Sequence, residues 1–222
     1  MGWASESLNP VSQRFIDFCS EAPGPVLDIG AAFGTASLAA LRAGATVFAN
    51  DLDASHLEHL RHHPGLTLKP GRFPRQLHFE PDTLGAVHAS SVFHFLTGNQ
   101  LEEGFRAIAR WLRPGGKLFV QAATPYQSPF AAFIPEYQRR IEAHAKWPGW
   151  VEKISAYSKH RQLGMMPSSI HLLDDVMLRH LAEAAGLEVE QAWLYRRDDF
   201  PTSLHLDGRE SAGLVACKAK KI

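Results

Sequence analysis

A chain of 222 residues, 45% hydrophobic and 21% charged, has room for one α/β domain with a sizeable core. Lys+Arg and Asp+Glu both total 23, so it lacks the basic excess of a protein that grips nucleic acid by its phosphates. Two cysteines, Cys19 and Cys217, are too few for a disulfide scaffold. No apolar run reaches the roughly 20 residues of a membrane span, and no signal peptide opens the chain. The expectation is a cytoplasmic protein with reduced thiols, without membrane or nucleic-acid partners, as a monomer or homodimer.

The first element is a helix over 9–20, with Asn9 as N-cap, Pro10 at its first position and an apolar stripe of Phe15, Ile16 and Cys19. A buried strand follows at 25–29. From there helices and strands alternate: a helix over 35–44 ended by Gly44, a strand over 45–50, a helix over 54–63 capped by Asp53, and strands over 65–69 and 85–92. An amphipathic helix over 100–112 and a strand over 117–123 complete the run. Continuous apolar strands between helices predict a parallel sheet covered on both faces. Residues 124–171 interrupt this pattern with Pro, Ser and aromatics around one helix over 135–147. A helix over 174–186 and strands over 187–195 and 211–218 close the chain. No helix fits between these last strands, so they should pair antiparallel.

The turn DIGAAFG at 28–34 follows the first strand. Small residues there let the chain bend sharply and let a ligand approach the backbone at a helix start. A dinucleotide fingerprint would place glycines at 32 and 35, where this chain has Ala32 and Thr35. Asp28, two residues before Gly30, would repel a pyrophosphate and attract a cationic group.

DIGAAFG, the acid Asp51 closing VFAND, GAVHASSVFHFL and LRPGGKLFV at 112–120 together resemble the class I S-adenosylmethionine-dependent methyltransferases. The resemblance covers residues 20–123 and 172–219. It implies a Rossmann-like parallel sheet with helices on both faces and a C-terminal antiparallel hairpin. The segment at 124–171, too long and too aromatic for a plain connector, is expected to be a helical lid that with the cap helix at 9–20 covers the reacting methyl group, all in one domain over 1–222. The resemblance implies S-adenosylmethionine as cofactor and S-adenosylhomocysteine as product. Cofactor contacts would come from Asp28, Gly30, Ala31, Ala32, Gly34, Asp51, Leu52 and Ser90, with Asp51 on the ribose hydroxyls. Where the family often has an acid on the adenine, this chain has Arg72, so Phe73 and the backbone would hold the ring. The usual acid before the fourth strand is Gly85.

Methyl transfer needs alignment and exclusion of water rather than a triad or a metal. His94 is the candidate base. The lid aromatics Tyr126, Phe130, Phe133, Tyr137, Trp147, Trp150 and Tyr157, with His160 and His171, either pack as core or line the acceptor pocket; several are expected to face it. His56, His59, His62 and His63 read as a solvated helix face, and no metal is expected. The expected reaction is methylation of an O or N atom of a small, aromatic or partly apolar molecule. The alternatives are a non-catalytic cofactor-binding sensor or partner subunit, an enzyme acting on RNA or protein, and an NAD-binding oxidoreductase.

Overall fold

The computed structural model describes residues 8–158 and 167–220. Helix α1 (Pro10–Cys19) is followed by β1 (Val26–Ile29), α2 (Thr35–Arg42), β2 (Val47–Asn50), α3 (Ala54–Leu57), β3 (Leu66–Leu68) and β4 (Leu84–Ser90). Then come α4 (Gly98–Trp111), β5 (Leu112–Ala123), α5 (Ile134–Glu142), a small hairpin of β6 (Trp150–Val151) and β7 (Ile170–His171), α6 (Asp175–Ala184), β8 (Glu188–Tyr195) and β9 (Ser211–Cys217). Seven strands form one sheet in the order β3-β2-β1-β4-β5-β9-β8. The first five are parallel; β9 runs antiparallel to both β5 and β8. Strand order reverses between β1 and β4, the switch point at which open α/β sheets take ligands in the crevice beyond the strands' carboxyl ends.

Residue alternation sets the two faces. Leu27, Ile29, Val87, Ala89, Leu118 and Val120 join the core under α4 and α6, while Val26, Ala86, Phe119 and Val215 join Val11, Phe15 and Cys19 of α1. Helix α1 starts where expected: the Asn9 side chain accepts from the amides of Val11 and Ser12, both at 3.0 Å. Gly44 and Gly186 end their helices at φ +93° and +82°.

Three elements depart from expectation. Helix α3 closes at Leu57 and passes through a 3₁₀ turn to Leu60, so His62 and His63 lie beyond it. Pro64 disfavours helical backbone at His63, and the chain must turn to enter β3. Helix α5 stops at Glu142, with His144 at φ +51°. Strand β5 begins at Leu112 rather than Lys117, because Leu112 pairs with Leu84.

The segment at 124–171 builds its own core. Phe130, Phe133 and Tyr137 are buried with Ala123, Val151, Ile154, Ile170 and Leu172. Aliphatic residues from the small hairpin and the sheet edge supply the surface these rings cover. The Tyr137 hydroxyl donates to Asp174, which caps α6 through the Met177 amide at 2.8 Å. The ends of the excursion are pinned together where the Leu173 amide donates to the Ala123 carbonyl at 2.8 Å.

Gly85 has a packing reason. A Cβ there would lie 2.5 Å from the backbone nitrogen and oxygen of Gly24. Gly85→Ala should therefore destabilise the protein by roughly 1–3 kcal/mol, as overpacking does. Urea denaturation checks this; an unchanged midpoint would show that the 24–25 segment yields freely.

Candidate functional site

Between β1 and α2 the backbone takes the left-handed region at alternate positions, with φ +70° at Gly30, +48° at Ala32 and +85° at Gly34. A side chain is strained there, and space forbids it too: a Cβ on Gly30 would sit 2.2 Å from Val92 Cγ2 and one on Gly34 2.4 Å from Leu60 Cδ2. Helix α2 then begins with no side-chain cap on its first amides, because its N-cap residue is Gly34. Those free N–H groups at a positive helix end suit a carboxylate.

Asp51 ties this turn to the end of β2. Its Oδ2 accepts from the Ala32 amide and its Oδ1 from the Asp53 amide, both at 2.9 Å. His56 Nδ1 lies 3.3 Å from Oδ1. A carboxylate has about four acceptor sites, so Asp51 retains capacity toward the crevice. Beside it, Leu52 is 60% and Phe33 55% exposed, two large apolar side chains open to solvent near the same carboxylate. Phe33 packs against His56 in a tilted arrangement, 5.2 Å between ring centroids. A cofactor with a carboxylate, a diol and an aromatic base matches this donor set, acceptor and apolar pair. Sequence reading missed Phe33; its only signal was an aromatic ring inside a small-residue turn.

Asp28 is elsewhere. It lies on the α1 face of β1, 2% exposed, and does not open into the crevice. Its Oδ1 accepts from His88 Nδ1 at 2.8 Å and its Oδ2 from the Ser37 hydroxyl at 2.6 Å. His88 Nε2 lies 2.9 Å from the Ser12 hydroxyl, and the Phe15 ring stacks on the imidazole at 4.8 Å. Strand alternation explains the correction: with Gly30 in the turn, Asp28 shares Val26's face.

Phe73 also departs from expectation as an adenine contact. Its ring is 5% exposed, stacks on Phe93 at 5.7 Å and fills the space above Gly104. The adjoining Arg72 is exposed, with its amide bonded to Gln76. Ala31 is buried and donates its amide to the Asn50 carbonyl at 2.7 Å. Ser90 ends β4, accepting from Asn9 Nδ2 at 2.8 Å and donating to Gln121.

His94 follows β4 in a 3₁₀ turn and is buried, with no hydrogen-bond partner for Nδ1. Burial pushes its imidazole down to about 4. His171 is fully buried between the edges of Trp147 and Trp150, and burial pushes it down to about 4 as well, against a bond to the Leu96 carbonyl. Trp147 and Trp150 are half-buried. With Thr97, Asn99, Arg140 and Ala145 they line a groove of about 570 Å³ at the start of α4. Tyr126 lies under the Arg209 guanidinium, 3.8 Å from its ring, and Tyr157 packs on Phe133. Phe130 belongs to the segment's core, and His160 lies outside the described residues.

Residues 26–116 match the family model of a methyltransferase domain. None of the curated protein sequences matches the chain. Among solved structures it resembles a SAM-dependent methyltransferase from Methanosarcina mazei with a TM-score of 0.70 at 14% identity, covering 97% of this chain and 100% of that one. It resembles an S-adenosylmethionine-dependent methyltransferase from Mesorhizobium loti with a TM-score of 0.66 at 17% identity, over 94% and 98%. It also resembles the CcbJ methyltransferase of Streptomyces caelestis with a TM-score of 0.63 at 18% identity, over 99% and 100%.

The two buried histidines set a pH dependence. The unfolded chain takes up their protons near the ordinary value of 6.5, the folded protein only near 4. Stability from this source is complete above 6.5 and is lost as pH falls through 4, by about 3 kcal/mol per group. Urea denaturation at pH 7 and at pH 4.5 should show the loss, and His94→Leu or His171→Leu should shrink it. A loss in both variants as large as the wild type's would contradict the assignment.

Proposed function

We propose that the chain is a class I S-adenosylmethionine-dependent methyltransferase whose methyl acceptor is an O or N atom of a small, aromatic or partly apolar molecule; the methyltransferase-domain match over 26–116 supports the activity. The observation that carries this is the groove at the start of α4. Its volume of about 570 Å³ falls in the range of small-molecule sites, and indoles make up much of its wall. The neutral overall charge supports the same choice over an RNA substrate.

The residues of the crevice divide the cofactor among them in this reading. The turn at 30–34 and the free amides of α2 take its amino-acid portion. Asp51 takes the ribose hydroxyls, and Phe33 and Leu52 flank the adenine beside Arg72. When bound, the cofactor supplies a methyl group on a sulfonium, already a good leaving group. The protein's part is to align the acceptor and exclude water. Val92 rests against the cofactor turn, and Thr97 of the groove lies five residues on, within roughly 17 Å of chain. An acceptor seated against Trp147 and Trp150 can therefore reach toward the crevice.

His94 Nδ1 has no partner but is buried, so an acceptor meets it only where the residues over it move aside. As a base it is weak, because burial disfavours its cation. It would orient an acceptor O–H or N–H rather than hold a full proton at neutral pH.

Labelled cofactor incubated with protein and a fractionated cell extract tests the acceptor class. Label should enter the small-molecule fraction; label confined to RNA or protein would contradict the proposal. For the ribose assignment, Asp51→Ala should weaken S-adenosylhomocysteine binding by roughly 100-fold, since charge-assisted hydrogen bonds worth about 1.5–3 kcal/mol each are lost. Calorimetry on the folded variant reads this; unchanged affinity would contradict it.

A further inference from the structure

The chain Ser12–His88–Asp28–Ser37 plays no part in the chemistry described above. Its three bonds measure 2.9, 2.8 and 2.6 Å. A carboxylate only accepts, which puts the shared proton on His88 Nδ1 and leaves Nε2 to accept from the Ser12 hydroxyl in the neutral ring. The order serine, histidine, aspartate is that of an acyl-transfer triad. Hydrolysis is ruled out by access: Ser12 is 3%, His88 2% and Asp28 2% exposed, and Phe15 stacks on the imidazole.

This run of hydrogen bonds joins four elements. Ser12 is in the first turn of α1. His88 is in the middle of β4. Asp28 and Ser37 flank the cofactor turn, one at the end of β1 and one in the first turn of α2. The Asp28–Ser37 bond therefore closes a staple across residues 30–34. A second link, from Asn9 to Ser90 at 2.8 Å, ties the same end of α1 to the end of β4.

We infer that His88 is a positioning residue that couples the seating of α1 to the cofactor turn, holding Asp28 with one ring nitrogen and Ser12 with the other. Order in the turn then favours a seated α1, and a seated α1 favours order in the turn. This rests on the turn at 30–34 being the cofactor site. Coupling is reciprocal, so whatever factor the cofactor adds to α1's protection, α1 adds to cofactor affinity.

Hydrogen exchange with and without S-adenosylhomocysteine tests it. In the wild type the ligand should slow exchange both at 30–42 and at 10–19, the latter by roughly fivefold, the size of one buried hydrogen bond. Ser12→Ala should remove the effect at 10–19, keep it at 30–42, and weaken ligand affinity by the same factor, although Ser12 touches no part of the turn. His88→Asn, whose amide can replace Nδ1 but not reach Ser12, should behave alike. A merely structural role would lower the melting temperature in both variants and leave the ligand-induced slowing at 10–19 in place; that result overturns the inference. Ligand that binds the wild type without slowing exchange at 10–19 overturns it while leaving the methyltransferase reading intact. Failure of the wild type to bind the ligand at all overturns both.

Discussion

A carboxylate buried in the middle of a parallel sheet must be surrounded by donors, since an unpartnered charge there would be prohibitively costly. Asp28 is that carboxylate, and much of the molecule is arranged to satisfy it. Its two oxygens take a histidine from the neighbouring strand and a serine from the following helix. The histidine in turn takes a serine from α1, which is why the first helix carries Ser12 on its buried face beside Val11 and Phe15. The acid sits two residues before the turn that bends the chain toward the ligand edge, so satisfying it also fixes where that turn begins.

The polar groups beneath α1 continue along the same edge. Ser90 and Ser91 share the Gln121 carbonyl, and Gln121 donates to Ser211 at 3.1 Å. Such a row costs hydrophobic contact, yet it ties the end of β4 to β5 and β5 to β9. On the other face no such row exists among the described core residues; Leu, Ile, Val and Phe pack α4 and α6 against the sheet. One face of the sheet thus carries the larger apolar cluster, and the other carries the polar links among β1, β4, β5 and β9. The segment after β5 stands on a third cluster of its own, so its aromatics divide into those that hold it together and the two indoles, Trp147 and Trp150, left at the groove.

Local chemistry in the sequence was enough for most of the fold. Asn9, Asp53, Gly44 and Gly186 act through their own backbone neighbourhoods, and each caps or ends its helix as expected. The closing hairpin followed from the lack of a helix between its strands. The site was only partly accessible by such reasoning. The turn at 30–34 follows the first strand and Asp51 the second, as motif spacing expects, and their cofactor role is the proposal above. Asp28 and Phe73 do not face the crevice, because strand alternation and long-range packing decide which face a residue near a turn occupies, and motif spacing does not report that. His88 escaped notice because its partners are 60 and 76 residues away in the chain. The aromatics at 126–157 were legible as a group, but nothing local separates Phe133, which is buried, from Trp150, which is not.

The proposed cofactor site is a single one, formed by the turn at 30–34, the first amides of α2 and the loop after β2. The most direct measurement is an amide chemical-shift titration of the labelled protein with S-adenosylhomocysteine. The largest perturbations should fall on residues 30–37 and 51–53, with a smaller set reaching α1. Saturable binding whose perturbations cluster away from both loops would contradict the account.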